Sequence, residues 1–502
     1  MYAAHSRIAD RGGNNLDGGP LDPSMAPRWL NPRNPRLSVS VVFVAGMFIT
    51  IMDSTIVNVA LPTLRREFGV STASVSAVVT SYLVAVAVVM PASGWLGDRA
   101  GGKRVLLWAL ALFTAASAAC GVANSLPVLV AFRAVQGAGT GVLIPVGMTM
   151  LYRTFPQAER IRATRMLMLP TLLAPALGPV LGGVIVDGLS WRWIFYVNLP
   201  VGLAAVAFGA VFLPSHRDYT VGRFDLPGFV LAALGFPLVM YALNVGPGDG
   251  WASPVIGTEI VAGLALLAVF TRAELRAGQP MLQLRILANR LYRPASLQCA
   301  VGSAGFIGTL FLVPLFLQNG LGYSALHSGL STFPEALGGM VGIQISSRLY
   351  RRTGPRRLMM AGLAGAAVPV ALMSTLGLTD ATWAMPVLMC ATGMLFGFSV
   401  APAQTAALAM MSPEQTGQAL TLFNVQRQVG QALGVAAFAT VLAATRPVPS
   451  DLGGYRLAFL AAAVAMLVGA LIASRVRDAD AIATMSAAAE PDSAVAGAEA
   501  VG

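Results

Sequence analysis

The chain of 502 residues is strongly apolar, with 56% hydrophobic and only 11% charged residues, against about 25% charged residues in an ordinary soluble domain. Its mean hydropathy is +0.70, which excludes a disordered chain. The 53 glycines and 31 prolines show no triplet period and there are only 3 cysteines, so collagen-like and disulfide-rich classes are excluded as well. The composition therefore predicts an all-α polytopic membrane protein.

Apolar runs of 17 to 25 residues recur along the whole sequence, and a bilayer span needs about 20 such residues. We number the predicted spans 1 to 14 in chain order. They cover residues 39–61, 73–93, 105–123, 127–150, 166–186, 193–213, 226–245, 254–271, 294–317, 328–347, 358–377, 383–402, 420–443 and 456–474.

The positive charge indicates how these spans are oriented. With the N-terminus inside, the inner segments hold 26 of the 33 basic residues and the outer loops hold 5. Cationic loops resist translocation, so both termini are predicted to be cytoplasmic. The net charge of +11 then reflects membrane orientation, and no nucleic-acid partner is expected.

The order of spans and loops predicts six regions. They are a disordered cytoplasmic N-terminal tail (1–37), an N-terminal six-helix bundle (38–213), two inserted spans (214–272), a cytoplasmic linker (273–293), a C-terminal six-helix bundle (294–477) and a disordered cytoplasmic C-terminal tail (478–502).

Ionisable residues at membrane depth are costly and therefore candidates for function. Asp53 in span 1 and Arg133 in span 4 fall at similar depth, about 5 and 8 Å outward of their span midpoints at 1.5 Å per residue. Glu335 in span 10 lies near the midplane too. A carboxylate that moves between an apolar cavity and an arginine binds and releases a proton, so Asp53 is predicted to couple transport to protons. A permanent structural pair of Asp53 with Arg133 is the alternative.

Other chemistry is not indicated by the sequence. The three histidines, His5, His216 and His327, fall in predicted loops or at a loop edge, and neither a phosphate-binding glycine loop nor a nucleophile elbow is present. We expect no catalytic residue, no metal and no cofactor other than the proton as coupling ion, and hence no enzyme.

Residues 94–104, GWLGDRAGGKR, follow span 2. They closely resemble the loop 2–3 motif of the major facilitator superfamily, GxLaDrxGrkxxl. Glycines there allow close backbone approach and a tight turn, and the acid can pair with cationic neighbours or a helix N-terminus. The resemblance implies a conformational latch made of Gly94, Asp98, Arg99, Gly101, Lys103 and Arg104.

Four further stretches resemble that superfamily or one branch of it. Residues 129–139 in span 4 resemble its lxxxRxxqGxg pattern, which implies a proton-coupling role for Arg133. Span 5 resembles the GPxxGG antiporter motif, with Ala174 where the pattern often has glycine; the matching helix-packing residues are Gly178, Pro179, Gly182 and Gly183. Residues 53–62 and 191–200 are similar to the fourteen-helix drug:proton antiporters.

The second half matches less closely. Residues 347–356 resemble a repeat of the loop 2–3 motif, but Ser347 replaces a glycine and Arg351 replaces the acid, which puts a second latch in doubt. Residues 423–434 resemble span 13 of the branch. The candidates for a substrate or proton site are Glu335, Asn58, Gln136 and Arg427.

The resemblance implies a major facilitator fold of two six-helix bundles with two inserted helices. It also implies a proton-coupled antiporter that exports amphiphilic or lipophilic drugs and toxic compounds by alternating access across a bacterial cytoplasmic membrane. The expected partners are a small amphiphilic substrate, protons and membrane lipids. The chain is expected to be a monomer, and an accessory periplasmic protein is left open. The alternatives are an exporter of a specific lipid or secreted metabolite, an uncoupled facilitator, and a membrane enzyme or sensor, which would need a catalytic cluster.

Overall fold

A computed structural model describes residues 34–155, 157–214, 224–249, 253–278, 280–376, 382–445 and 452–486. These residues are helical apart from turns and short connections, and no strand occurs among them. The greater part of both predicted tails, residues 1–33 and 487–502, lies outside the described residues, as do residues 215–223 between spans 6 and 7.

All fourteen predicted spans fall on helices. The helices are Pro35–Phe68, Thr72–Val89, Gly102–Gly121, Leu126–Thr154, Gln157–Gly188, Trp193–Tyr196 with Asn198–Phe212, Leu226–Asp249, Pro254–Arg276, Tyr292–Leu315, Ala325–Met373, Met385–Leu408, Pro413–Ala444 and Gly453–Ala473.

Eleven helices in the described part of the chain are long and apolar enough to cross a membrane. One of them, Ala325–Met373, carries both span 10 and span 11. The two spans are separated by a kink at Gly354, whose φ of 76° is one that a residue with a Cβ rarely adopts. Spans 5 and 13 correspond to two further helices of 32 residues each. The predicted all-α polytopic architecture is therefore confirmed.

Several helices begin directly after a serine that caps them. Ser71, Ser324 and Ser412 each accept a hydrogen bond from the backbone N–H three residues on, at the beginnings of spans 2, 10 and 13. Such a cap satisfies one of the N–H groups that a helix start leaves without an intrahelical partner. Span 1 ends at Gly69, which has a φ of 63° and donates to the carbonyls of Arg65 and Arg66.

The helices pack as two groups of six. Within the first group span 1 contacts spans 4, 5 and 6, and span 4 contacts spans 2 and 3; within the second group span 9 contacts spans 12, 13 and 14. The two groups meet where span 2 packs on span 13, span 5 on span 10, and span 1 on span 9. Spans 7 and 8 pack on each other, and span 7 leans on spans 2 and 13, beside the junction of the two groups.

The C-terminal boundary differs from the prediction. Residues Asp478–Ala481 form a 3-10 turn and Ile482–Ser486 a short helix, and both contact the helix that carries spans 10 and 11. The predicted tail at 478–502 thus begins with packed helical residues. In the predicted linker, Leu284–Ala288 forms a 3-10 turn, and the buried Glu274 accepts a hydrogen bond of 2.8 Å from the Leu282 backbone N–H.

Candidate functional site

Asp53 and Arg133 meet in the interior of the first six-helix group. Arg133 Nη1 donates to Asp53 Oδ2 over 2.5 Å, and their side chains are 1% and 0% exposed. Asp53 lies in the middle of span 1 and Arg133 one turn and a half into span 4, at the similar depth that the sequence predicts. The chain therefore places an ion pair out of contact with water.

Two amides complete the surroundings of the carboxylate. Gln136 Nε2 and Asn198 Nδ2 both donate to Asp53 Oδ1 over 2.9 Å. Gln136 Oε1 in turn accepts from Arg133 Nη1 over 2.7 Å, so Gln136 bridges the acid and the base. Each bond that Asp53 makes here is one that an ionised carboxylate accepts.

The guanidinium of Arg133 is held from three further sides. Its Nε donates to the Val78 carbonyl over 3.1 Å. The Tyr82 ring lies 4.3 Å and the Phe195 ring 5.9 Å from its central carbon, within the range of cation–π attraction. Arg133 thus connects span 4 to spans 1, 2 and 6.

The physical cost of this arrangement explains the number of bonds. Removing two charges from water is repaid only when the geometry is good and the remaining polar atoms are hydrogen-bonded. Loss of one partner from such a pair typically destabilises a protein by about 3–5 kcal/mol, because the other charge is left buried and uncompensated.

Asn198 is the residue of this network that our site prediction missed. It begins the second helix of span 6, directly after Val197, whose backbone is also helical, and it is fully buried. Its Nδ2 also donates to Ser117 Oγ over 3.1 Å, and Ser117 donates to the Phe195 carbonyl over 2.8 Å. The available signal was a lone amide at the start of an apolar helix, inside the stretch 191–200 that resembles the antiporter branch.

The remaining candidate residues lie apart from this network. Asn58 donates to the Ser54 carbonyl of its own helix over 3.4 Å. Glu335 is 9% exposed on span 10, and Arg427 donates to Asn424, one turn earlier on span 13. Within the described residues, neither Glu335 nor Arg427 forms a hydrogen bond or ion pair with Asp53.

Asp98 of the predicted latch loop forms an ion pair. Asp98 accepts from Arg153 Nη2, at the end of span 4, over 3.1 Å, and both side chains are nearly half exposed. Arg99 lies over the Trp95 ring at 5.4 Å. Lys103 and Arg104 follow on the next helix at the surface.

The latch glycines divide into two kinds. Gly101 has a φ of 88° and separates the short helix Ala92–Ala100 from span 3, as the predicted turn requires. A Cβ on Gly94 would meet nothing within 4 Å. The expected close backbone approach at Gly94 is therefore wrong, because open space surrounds that face of its helix.

In the second half of the chain, a residue beyond span 14 supplies the acid that the repeat of the loop motif lacks at Arg351. Asp478, beyond the end of span 14, accepts from the Arg356 backbone N–H over 2.9 Å, just after the break at Gly354. Two more contacts hold this C-terminal segment in place: Asp480 with Arg290 at 2.6 Å, and Tyr350 with Thr484 at 2.9 Å. Asp478 thus occupies the start of span 11, where Arg351 cannot serve as the acid.

The glycines of the span 5 motif lie in helix contacts on two sides. A Cβ on Gly178 or Gly182 would run into Thr55 or Ile56 of span 1. A Cβ on Gly183 would come within 2.4 Å of Leu326 Cα, and one on Gly329 within 2.1 Å of the carbonyl of Pro179. Small residues let backbones approach closely in membranes, so this motif packs span 5 against both span 1 and span 10.

Polar contacts close the same end of the junction. Asp187, at the end of span 5, accepts from the backbone N–H groups of Ala325 and Leu326 over 3.1 and 2.7 Å. Gln318 at the end of span 9 donates to the Val59 carbonyl over 2.9 Å. The two six-helix groups are therefore joined on the side that the charge distribution predicts to be extracytoplasmic.

Comparison with known proteins identifies the family. The family model described as "Major Facilitator Superfamily" matches residues 43–435. This chain belongs to the major facilitator superfamily, and it is a transporter with several membrane spans.

Similar proteins carry multidrug resistance names. "Multidrug resistance protein B homolog" of Mycobacterium tuberculosis is 32% identical over 433 residues, covering 84% of this chain and 80% of that protein. "Putative multidrug resistance protein MdtD" of Serratia proteamaculans is 33% identical over 393 residues, covering 78% and 82%.

Solved structures share the fold. A peptide transporter POT in complex with sulfate has a TM-score of 0.65 at 14% identity, over 90% of this chain and 96% of that one. The POT family transporter PepTSo gives 0.65 at 15% identity, over 91% and 99%. At this identity the likeness concerns the fold alone.

The packing at Gly183 predicts a matched pair of variants. Gly183→Val should push spans 5 and 10 apart and destabilise the protein by about 1–3 kcal/mol, because backbone atoms block the added side chain. Gly188→Val in the same helix meets nothing within 4 Å and should behave as wild type. Thermal unfolding and transport rate measure both effects; equal values for the two variants would contradict this account of the junction.

The contact at Asp478 predicts a second effect. Asp478→Asn keeps the shape but removes the negative charge at the start of span 11, and we expect a loss of about 1 kcal/mol of stability. Arg357→Gln, an exposed position in the same turn, is the control and should leave the unfolding temperature unchanged. The prediction fails when the two variants unfold at the same temperature as wild type.

Proposed function

We propose that the protein is a proton-coupled antiporter that exports amphiphilic or lipophilic compounds from the cytoplasm by alternating access. The observation that carries this proposal is the buried Asp53–Arg133 pair, with its two bridging amides, at the contact of spans 1, 4 and 6. Relatives named for multidrug resistance support export of drug-like compounds.

The pair is suited to exchange a proton for substrate because its two protonation states need different surroundings. The ionised carboxylate is matched by Arg133, Gln136 and Asn198. A protonated Asp53 would leave the Arg133 charge buried without its counter-ion, which is costly. Proton binding therefore favours a rearrangement of spans 1 and 4, and substrate-driven return to the paired geometry favours proton release.

The contacts between the two helix groups support a closed outer end as one state of the proposed rocking motion. Spans 5 and 10, with Asp187 and Gln318, close the predicted outer end. Opening outward requires these contacts to part while the cytoplasmic loops approach. Proline and glycine in span 5 supply a pliable element for that motion.

The second half offers an acid for a cationic substrate. Glu335 lies on span 10, where Gly393 of span 12 packs against its backbone carbonyl. In the described part of the chain its carboxylate has neither a hydrogen bond nor an ion pair. An organic cation that entered between the two helix groups would neutralise it, so Glu335 favours amphiphilic cations as substrates.

The setting follows from the family and the arginine distribution. We propose that the chain lies in a bacterial cytoplasmic membrane with both termini inside, acts as a monomer, and needs no cofactor besides protons. Its regions are those predicted from the sequence, with the start of the C-terminal tail moved past Ser486. The second candidate function is export of one specific lipid or secreted metabolite, because the coupling residues are independent of the cargo.

Proteoliposomes test the coupling role of Asp53. Under an imposed pH gradient, ethidium should evoke dye-reported proton movement in wild type, and Asp53→Asn should lower it to the level of empty liposomes, because the amide cannot release a proton. Substrate exchange without a gradient should persist in the variant. Coupled transport at the wild-type rate by a folded Asp53→Asn protein would contradict the proposal.

Glu335→Gln tests the substrate class. The KM for ethidium should rise about tenfold, equivalent to about 1.4 kcal/mol, while the KM for an uncharged lipophilic substrate stays constant. Glu259→Gln, an acid on the inserted span 8, is the matched control and should change neither value. An equal rise for charged and uncharged substrates in Glu335→Gln would argue against a cation site.

A further inference from the structure

We infer that Asn198 is a positioning residue of the proton site, because its amide donates to the ionised carboxylate of Asp53 and does not fit the protonated one. This inference rests on the proposed coupling role of Asp53. It concerns a different residue, on span 6, whose amide favours one charge state of the acid.

The two amides that donate to Asp53 Oδ1 differ in how many of their polar atoms are hydrogen-bonded. Gln136 uses both ends of its amide, because its Oε1 accepts from Arg133 while its Nε2 donates to Asp53. A turn of Gln136 would aim an N–H group at the guanidinium. Gln136 is therefore fixed in one orientation as long as Arg133 is in place.

Asn198 uses only its nitrogen. Its Nδ2 donates to Asp53 Oδ1 and to Ser117 Oγ, whereas its Oδ1 is buried and has no hydrogen-bond partner among the described residues. A buried acceptor without a donor is unfavourable. This orientation of the amide is therefore retained for the two bonds that Nδ2 donates, one of them to the acid.

A proton on Asp53 removes the fit between the acid and this amide. The neutral carboxyl carries an O–H donor, and the N–H of Asn198 that faces it would repel that hydrogen. The amide of Asn198 therefore favours the ionised carboxylate over the protonated one. No covalent bond changes apart from the one formed between the proton and Asp53.

Ser117 of span 3 holds the Asn198 amide in this orientation. Its Oγ accepts from Asn198 Nδ2 and donates to the Phe195 carbonyl. Phe195 lies in the short first helix of span 6, Trp193–Tyr196. Contacts between spans 3 and 6 therefore fix the donor that Asn198 presents to Asp53.

Other groups around Asp53 define the background against which this effect is measured. Arg133 of span 4, Tyr82 of span 2 and Cys120 of span 3 are the titratable side chains that interact with the Asp53 charge in the described structure. All three are retained in the variants below. A change in pH dependence then reports on the amide alone.

Two variants of Asn198 and one control variant test the inference, all by the same measurement. The pH midpoint of ethidium transport is determined for wild type, Asn198→Leu and Asn198→Ser. Leucine has a similar volume and no hydrogen-bonding group, so the ionised carboxylate loses a donor; we expect the midpoint of transport to rise by about one pH unit. Serine can donate or accept, and its midpoint should lie between those of wild type and Asn198→Leu.

Gln298→Met is the matched control. Gln298 is also a fully buried amide, but it lies in span 9 and bonds to Ser399 and Met359. Its replacement should lower stability and leave the pH midpoint unchanged. A residue with a merely structural role would resemble this control.

The outcomes distinguish failure of the inference about Asn198 from failure of the proposed function. A midpoint in Asn198→Leu equal to or below that of wild type, with reduced rate only, overturns the inference; when Asn198→Leu does not fold, the same reading applies to Asn198→Ser. Failure of wild type to show any substrate-dependent proton movement would instead overturn the proposed function.

Discussion

A carboxylate and a guanidinium that are both shut off from water constrain the first half of this protein. Each charge is tolerable in the membrane interior only because the other compensates it, and the pair is stable only because Gln136, Asn198 and the Val78 carbonyl satisfy the remaining polar atoms. Spans 1, 2, 4 and 6 must keep their mutual positions for as long as the pair exists. A change in the charge of Asp53 therefore changes which arrangement of these spans has the lowest free energy.

The two halves solve their electrostatic problems differently. The first half is self-contained: its buried pair and its surface pair, Asp98 with Arg153, both come from spans and loops within that half. The second half has a buried acid, Glu335, that pairs with no other side chain in the described part of the protein, and it obtains its loop acid from Asp478, beyond span 14. We propose on this basis that coupling resides in the first half and substrate selection in the second.

Most of the fold was predictable because membrane insertion leaves a direct record in the sequence. Span length, arginine distribution and the motifs of spans 4 and 5 identify the helices, and the family match confirms them. Depth arithmetic was sufficient to pair Asp53 with Arg133. Contacts between residues distant in sequence were not predictable in the same way: Asp478 lies 122 residues from its partner Arg356, and no local pattern relates them.

Asn198 shows why the site was incomplete in the sequence. An amide has no charge, so its insertion cost does not mark it as an aspartate is marked. Its importance arises from its contact with Asp53, which lies 145 residues away in the sequence. The close approach expected at Gly94 failed for the converse reason, since a motif position does not fix which neighbours surround it.

The central claim is that Asp53 releases a proton when substrate binds, and infrared difference spectroscopy of the purified protein tests it most directly. With the protein equilibrated below the pH midpoint of transport, so that Asp53 starts protonated, addition of ethidium should remove a protonated-carboxyl C=O band and produce a carboxylate band, and both changes should be missing in Asp53→Asn. Difference spectra of wild type and Asp53→Asn that are identical in the carboxyl region would show that Asp53 keeps one charge state throughout, and the pair would then be a permanent structural link.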